Sequence, residues 1–258
     1  MRLYFRFFGM HLRSQMQYKT SFFLTMAGQL FVPLTGFLGI YFMFLRFNVV
    51  DGFTFEEILL CFAVILMSFS IAESFGRGFD VFPRKISNGE FDRALVRPRG
   101  IIFQILASTI DLARLGRLVY AIIIFCYAIP FSDVFWSWDK ILTLCLMVFC
   151  GTVVFFCLFI IYAAFTFFTI EGLEFMNILT HGGQEFGRYP FSVYGRSVLG
   201  FLTFIIPLAL VQYYPLLYLL DVEKSKLYML TPLFGLLFII PSYGFFRYGL
   251  YCYKSTGS

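Results

Sequence analysis

The sequence predicts an all-α integral membrane protein with six transmembrane helices. Three observations carry this. Sixty per cent of the 258 residues are hydrophobic and the mean hydropathy is +0.81, far above a soluble domain. Six mostly apolar, uncharged runs follow one another at 21–45, 58–72, 118–132, 141–170, 197–220 and 227–246. Sixteen of the 20 Lys and Arg fall in the segments that six spans place on one side. The positive-inside rule makes that side the cytoplasm, with both termini and segment 73–117 on it. In lipid every backbone polar group must be satisfied within the protein, so the runs are helices.

The elements follow in order. Residues 1–19 are basic and aromatic. On a helix, Arg2, Arg6, Arg13 and Gln17 fall within about 60° of one another, with Leu3, Phe7 and Met10 beside that stripe and Tyr4 and Phe8 behind it. This predicts an interfacial helix in the cytoplasmic headgroups. Run 21–45 is too long for the apolar core of a signal peptide and lacks a small-x-small exit, so it is expected as an uncleaved first span. Runs 58–72 and 118–132 are each 15 residues long, short of the roughly 20 a span needs. They cross only if Glu57, Glu73 and Arg117 lie in the headgroup zone or against other helices.

Segment 73–117 is the polar insert between spans two and three. Ser87-Asn88-Gly89-Glu90 has the form of a capping box, which predicts a short helix over 90–96. Pro98 ends that helix and suits the start of the next. Glu90, Asp92, Arg93 and Arg97 are its polar residues, and Phe91, Ala94 and Leu95 its apolar side. Arg114 and Arg117 anchor the cytoplasmic end of span three. A solvated loop with its basic residues on lipid phosphates would have the same composition.

Segment 171–196, with Glu171, Glu174, His181, Glu185, Arg188 and Arg196, has two readings. By hydropathy it is a cytoplasmic loop before a fifth span at 197–220. Alternatively it holds a polar fifth span packed against protein. Then 190–220, broken by Pro190, Pro207 and Pro215, is a re-entrant hairpin at the outer face.

Much chemistry is missing. There is no GxxxxGK[ST] phosphate loop and no HExxH, and the only histidines are His11 and His181. The six cysteines form no CxxC pair, so neither a disulfide frame nor a zinc site is indicated. No cofactor, bound metal or nucleic-acid partner is expected, since topology accounts for the net charge of +5. The spacing of Glu171 and Glu174 suits a proton relay or cation site, and equally an ordinary helix-end feature. Nothing pairs a nucleophile with a base, so the chain is not expected to be an enzyme.

The insert carries a resemblance. Gly89-Glu90-Phe91-Asp92-Arg93-Ala94-Leu95-Val96-Arg97-Pro98 matches the G-E-x-D-x-x-L-x-R-P element of the permease subunits of type-2 ABC exporters. Tyr189-Pro190-Phe191-Ser192-Val193-Tyr194, Phe204-Ile205-Ile206-Pro207-Leu208-Ala209 and Tyr213-Tyr214-Pro215 resemble the proline-punctuated segment before the last span in one branch of that family. The resemblance spans essentially the whole chain and implies a single permease domain over residues 1–258. It further implies two cytoplasmic ATPase subunits and a second permease, identical or related, in the plasma (cytoplasmic) membrane. The short helix would be the coupling helix in the ATPase groove, acting through Glu90, Phe91, Asp92, Arg93, Leu95, Arg97 and Pro98. Glu171, Glu174 and His181 would line a substrate path or an interface, the path running along spans two and five. ATP hydrolysis would reside in the partner. The family also favours the re-entrant hairpin. The alternative is a stand-alone secondary transporter or channel, which would call for inverted repeats; none is clear between the two halves.

Overall fold

The structure is a computed structural model, and it describes residues 2–132, 134–169 and 174–254. Glu171 lies outside the described residues. Helices make up nearly all of the fold. The amphipathic α1 (Arg2–Gln15) leads through a 3-10 turn to α2 (Lys19–Phe31). At Tyr18 the backbone leaves helical geometry, with φ −110° and ψ 70°, which separates the two helices. Pro33 cannot donate a backbone hydrogen bond and breaks the first span there. Helix α3 (Leu34–Phe44) completes it.

Helix α4 (Phe55–Asp80) starts on a full capping box, Thr54 with Glu57. It absorbs the charges that shortened run 58–72. It is the central post of the bundle: 83% of its most apolar window is buried within the chain. Two apolar clusters flank it. One joins Ile58–Leu66 residues to Tyr120, Ile124, Met147 and Leu219, and the other joins Phe69 and Phe79 to Phe155, Phe159 and Phe246.

The insert folds as α5 (Phe82–Ser87), α6 (Glu90–Leu95) and α7 (Ile101–Ser108). Helices α8 (Leu115–Phe131) and α9 (Trp138–Thr169) then cross the bundle. Gly78 on α4 and Gly116 on α8 stand where backbones meet: a Cβ would collide with the carbonyls of Ile105 and Met26 respectively. Close approach through small residues is how helices pack when lipid replaces water.

After α9 come α10 (Met176–Phe186), α11 (Arg196–Phe204), α12 (Leu208–Val211) and α13 (Tyr213–Leu219). The last crossing is α14 (Lys226–Gly235) followed by α15 (Ile239–Cys252). Among the described residues, five helical stretches are long and apolar enough to cross a membrane, and the pair 196–204 and 208–219 is bent by 86°.

That bend corrects the hydropathy reading of 197–220 as a straight span. The path is set by the two ends of the segment. Ser192 Oγ donates to Asp51 Oδ2 at 2.6 Å, in the loop between α3 and α4. Asp221 pairs with Lys140 at 2.6 Å, at the start of α9. Both ends of 190–221 therefore lie at one end of the bundle, and the segment between them enters and returns as a hairpin. Phe167, at the close of α9, packs on Phe82 and Phe91 of the insert at the opposite end. The chain must thus cross between Thr169 and Ser192. Helix α10, about 16 Å long at 1.5 Å per residue, makes about half of that passage, and turns at 187–189 follow it. Such backbone survives at membrane depth only where protein satisfies it. Gln212, fully buried at the start of α13, does so: its Nε2 donates to the carbonyls of Tyr189 at 3.1 Å and Gly187 at 3.3 Å.

Candidate coupling and translocation surfaces

The short helix is present over Glu90–Leu95, one residue shorter than expected. The expected capping box is not. Phe82 and Pro83 already open a preceding helix, α5, and Ser87 closes it, donating from Oγ to the Arg84 carbonyl at 3.1 Å. The N-cap of α6 is Gly89 at φ +67°, a left-handed turn that glycine adopts without strain.

Helix α6 has two faces. Phe91 points inward and is only 2% exposed. Its ring meets Phe82 at 5.0 Å, Tyr253 at 5.1 Å and Phe167 at 5.5 Å. The sequence placed Phe91 on the partner-facing side; instead it anchors the helix to its own bundle, because the rings of Phe167 and Tyr253, from distant elements, and of the neighbouring Phe82 converge there. Asp92 is half-buried and accepts from the Tyr253 hydroxyl at 3.0 Å. Burial first, and then this carboxylate, push the Tyr253 pKa above its ordinary value. Glu90, Arg93, Leu95, Arg97 and Pro98 are exposed. Val96, which was not singled out in the sequence, is 83% exposed beside them. A cavity of about 440 Å³ opens behind this outer face, with Lys85, Glu90, Arg93 and Arg97 at its polar wall.

At the base of α4 sits a charge cluster whose pairing sequence spacing could not reveal. Glu73 is completely buried. Its Oε2 accepts from Arg117 at 2.9 Å and its Oε1 pairs with Arg114. Arg114 also reaches Asp111 at 2.9 Å, and Arg117 donates from Nε to Gln29 on α2 at 2.7 Å. A buried carboxylate needs such partners. The cluster ties α2, α4 and α8 at the end of the bundle that carries the insert.

Helix α10 presents the second surface. Its buried side holds Met176, Thr180, Gly183 and Gln184. Its open side holds Glu174 just before it, Asn177, Ile178 and Glu185, with His181 half-buried among them. Glu174 and His181, expected together, do share this face. The His181 ring packs on Phe69 of α4 at 5.2 Å. Arg188 pairs with Glu185, lies 5.8 Å from the Phe62 ring centroid and abuts Gly36 of α3. Span two, expected to line a path, is instead the most enclosed helix; the open ionisable face belongs to α10.

The geometry can now be set beside known proteins. No curated protein and no solved structure matches the chain. A family model described as ABC-2 family transporter protein matches residues 30–257. The match runs from the end of α2 to beyond α15 and takes in the whole insert, α10 and the hairpin. With several apolar helices crossing the bundle, the chain is a multi-pass membrane transport protein. It belongs to the ABC-2 family of transporter proteins.

Proposed function

We propose that this chain is the membrane-spanning permease of an ATP-driven exporter, energised by two ABC ATPase subunits supplied in trans. The observation that carries the reading is the division of α6 into a locked inner face and a free outer one. Phe91 and Asp92 fasten the helix to α5, α9 and the residue after α15. Glu90, Arg93, Leu95, Val96, Arg97 and Pro98 are left for a partner groove. A force on the outer face then passes through packed aromatic rings to Phe167 and Phe246, on two spanning helices. Packed cores respond by rigid displacement rather than by soft deformation. The charge asymmetry supports a cytoplasmic position for this end and both termini, in a cytoplasmic-membrane protein.

The open face of α10 supports a second copy or a related permease beside the first. Glu185, exposed near the end of α10 and paired with Arg188, does not face hydrocarbon, because ionisable groups at membrane depth turn toward protein or a water-filled path. The substrate route runs between the two permeases along this face, and the ATP-driven approach of the two α6 helices alternates its access.

The test is co-expression. The chain alone in liposomes is expected to hydrolyse no ATP and to move no substrate, and addition of its ATPase is expected to restore both. Transport by the isolated chain on an ion gradient would overturn the reading in favour of a stand-alone secondary transporter.

A further inference from the structure

A narrow slot separates α1 from α7. Its walls are Leu3 and Phe7 of α1 and Phe103, Gln104, Ala107 and Ser108 of α7, and it encloses about 150 Å³. Arg97 and Arg99 stand at its mouth. The two helices are held at fixed spacing. Tyr4 meets Phe103 edge-on at 6.4 Å, the His11 ring nitrogen Nε2 lies 3.0 Å from the Ala107 carbonyl, and Gln15 accepts from the Leu112 backbone at 3.1 Å. The slot is therefore built into the fold.

Charge and polarity define its ligand. The six ion pairs among the described residues leave out Arg97, Arg99 and the neighbouring Arg93. Both mouth guanidiniums are exposed, and arginine binds phosphate oxygens through two parallel hydrogen bonds. Behind them the walls are mostly apolar side chains; of the two polar ones, Gln104 donates to the Ala94 and Arg99 carbonyls and Ser108 to the Ile105 carbonyl. Helix α1 is amphipathic, with Arg6 and Arg13 exposed, and packs at the end of the bundle that carries the insert. An amphiphile with an anionic phosphate head and an alkyl tail satisfies both halves of the site. A protein carboxylate would meet only the mouth.

We propose that the slot between α1 and α7 binds one anionic phospholipid, its phosphate on Arg97 and Arg99 and the first part of an acyl chain between Phe7 and Phe103. The lipid wedges the amphipathic N-terminal helix against the insert. This rests on membrane insertion alone and not on docking of an ATPase.

The test uses the purified full chain released from an equimolar mixture of phosphatidylglycerol and phosphatidylcholine, with retained lipid counted by native mass spectrometry. Wild type is expected to retain phosphatidylglycerol in preference. A basic side chain near an anionic surface contributes about 1 kcal/mol, so Arg97→Gln or Arg99→Gln should lower the preference about fivefold, and the pair about thirtyfold. Arg84→Gln removes the same charge from an exposed site on α5 and should leave it in place. Equal melting temperatures in neutral detergent check that the exposed variants fold. Millimolar inorganic phosphate should fail to displace the lipid, because it lacks a tail. Unchanged retention in the double variant, an equal loss in Arg84→Gln, or ready displacement by phosphate would each overturn the proposal. So would an Arg99→Gln variant that keeps its lipid but loses a co-expressed ATPase, since the mouth would then serve a protein partner.

Discussion

The Tyr253 hydroxyl donates to the Asp92 carboxylate at 3.0 Å across 161 residues of chain. The residue that follows the last spanning helix thus holds a short helix whose outer face is open. Tyr253→Phe keeps the ring packed on Phe91 and removes only this bond. A hydrogen bond to a charged group contributes about 1.5–3 kcal/mol. The variant is expected to melt lower by that amount at neutral pH and to stimulate a co-expressed ATPase less. The sign with pH follows from the raised Tyr253 pKa. The stabilisation is full below the unfolded tyrosine value of about 10 and fades as pH rises through the higher folded value. Melting curves of wild type and Tyr253→Phe should converge only above pH 10.

The two faces of α6 should separate stability from coupling. Phe91→Ala opens a cavity among Phe82, Phe167 and Tyr253, and such truncations cost about 3–5 kcal/mol. It should lower the melting temperature and the yield of folded protein. Arg93→Glu/Arg97→Glu changes exposed charge only. It should express and melt like wild type and yet lose co-purification of the ATPase. Retained ATPase binding in the charge-reversed variant would remove the outer face from the docking site.

Glu73 is the pivot of the charge cluster at the base of α4. Glu73→Ala leaves Arg114 and Arg117 without their buried carboxylate, and breaking a buried pair costs about 3–5 kcal/mol. Thermal melting in detergent should show a large drop. A control at the exposed Glu90, Glu90→Ala, should change stability by less than about 1 kcal/mol.

Gln212 satisfies the backbone that follows α10. Gln212→Leu keeps most of the side-chain volume and leaves the carbonyls of Gly187 and Tyr189 without this donor. Each unsatisfied buried group costs about 1–3 kcal/mol. Lower thermal stability is expected, with α10 exchanging its amide hydrogens faster than α9. Uniform protection of both helices would mean that the broken segment is held by something else.

The hairpin predicts a labelling pattern. A cysteine at Ser197, in a background without the six native cysteines, should react with an impermeant thiol reagent added to intact cells from outside. Reaction only after permeabilisation would place the start of α11 in the cytoplasm and restore the straight fifth span.

The sequence by itself determined the class of molecule. Apolar runs longer than any soluble core needs, and arginines gathered on alternate loops, are local properties that survive without knowledge of contacts. The end of the short helix at Glu90 was legible for the same reason, through Pro98, whereas its start on a Ser87–Glu90 capping box was not, since Gly89 in a left-handed turn starts it instead. Tertiary structure alone decided what its side chains do. Phe91 could face a partner or the core with identical local sequence, and only the arrival of Phe167 and Tyr253 from remote parts of the chain turns it inward. The same holds for 197–220. Its hydropathy is that of a span, and hydropathy measures the cost of leaving water, not direction. The turn at Ile205–Pro207 and the anchoring of both ends, Ser192 on Asp51 and Asp221 on Lys140, make it a hairpin. Conversely α10, too polar and too short to be a span by composition, lies against the bundle because Phe69 packs on His181 and Gln212 satisfies the backbone that follows the helix. Sequence fixes what each segment can tolerate, and the packed neighbours decide which of the tolerated states has the lower free energy.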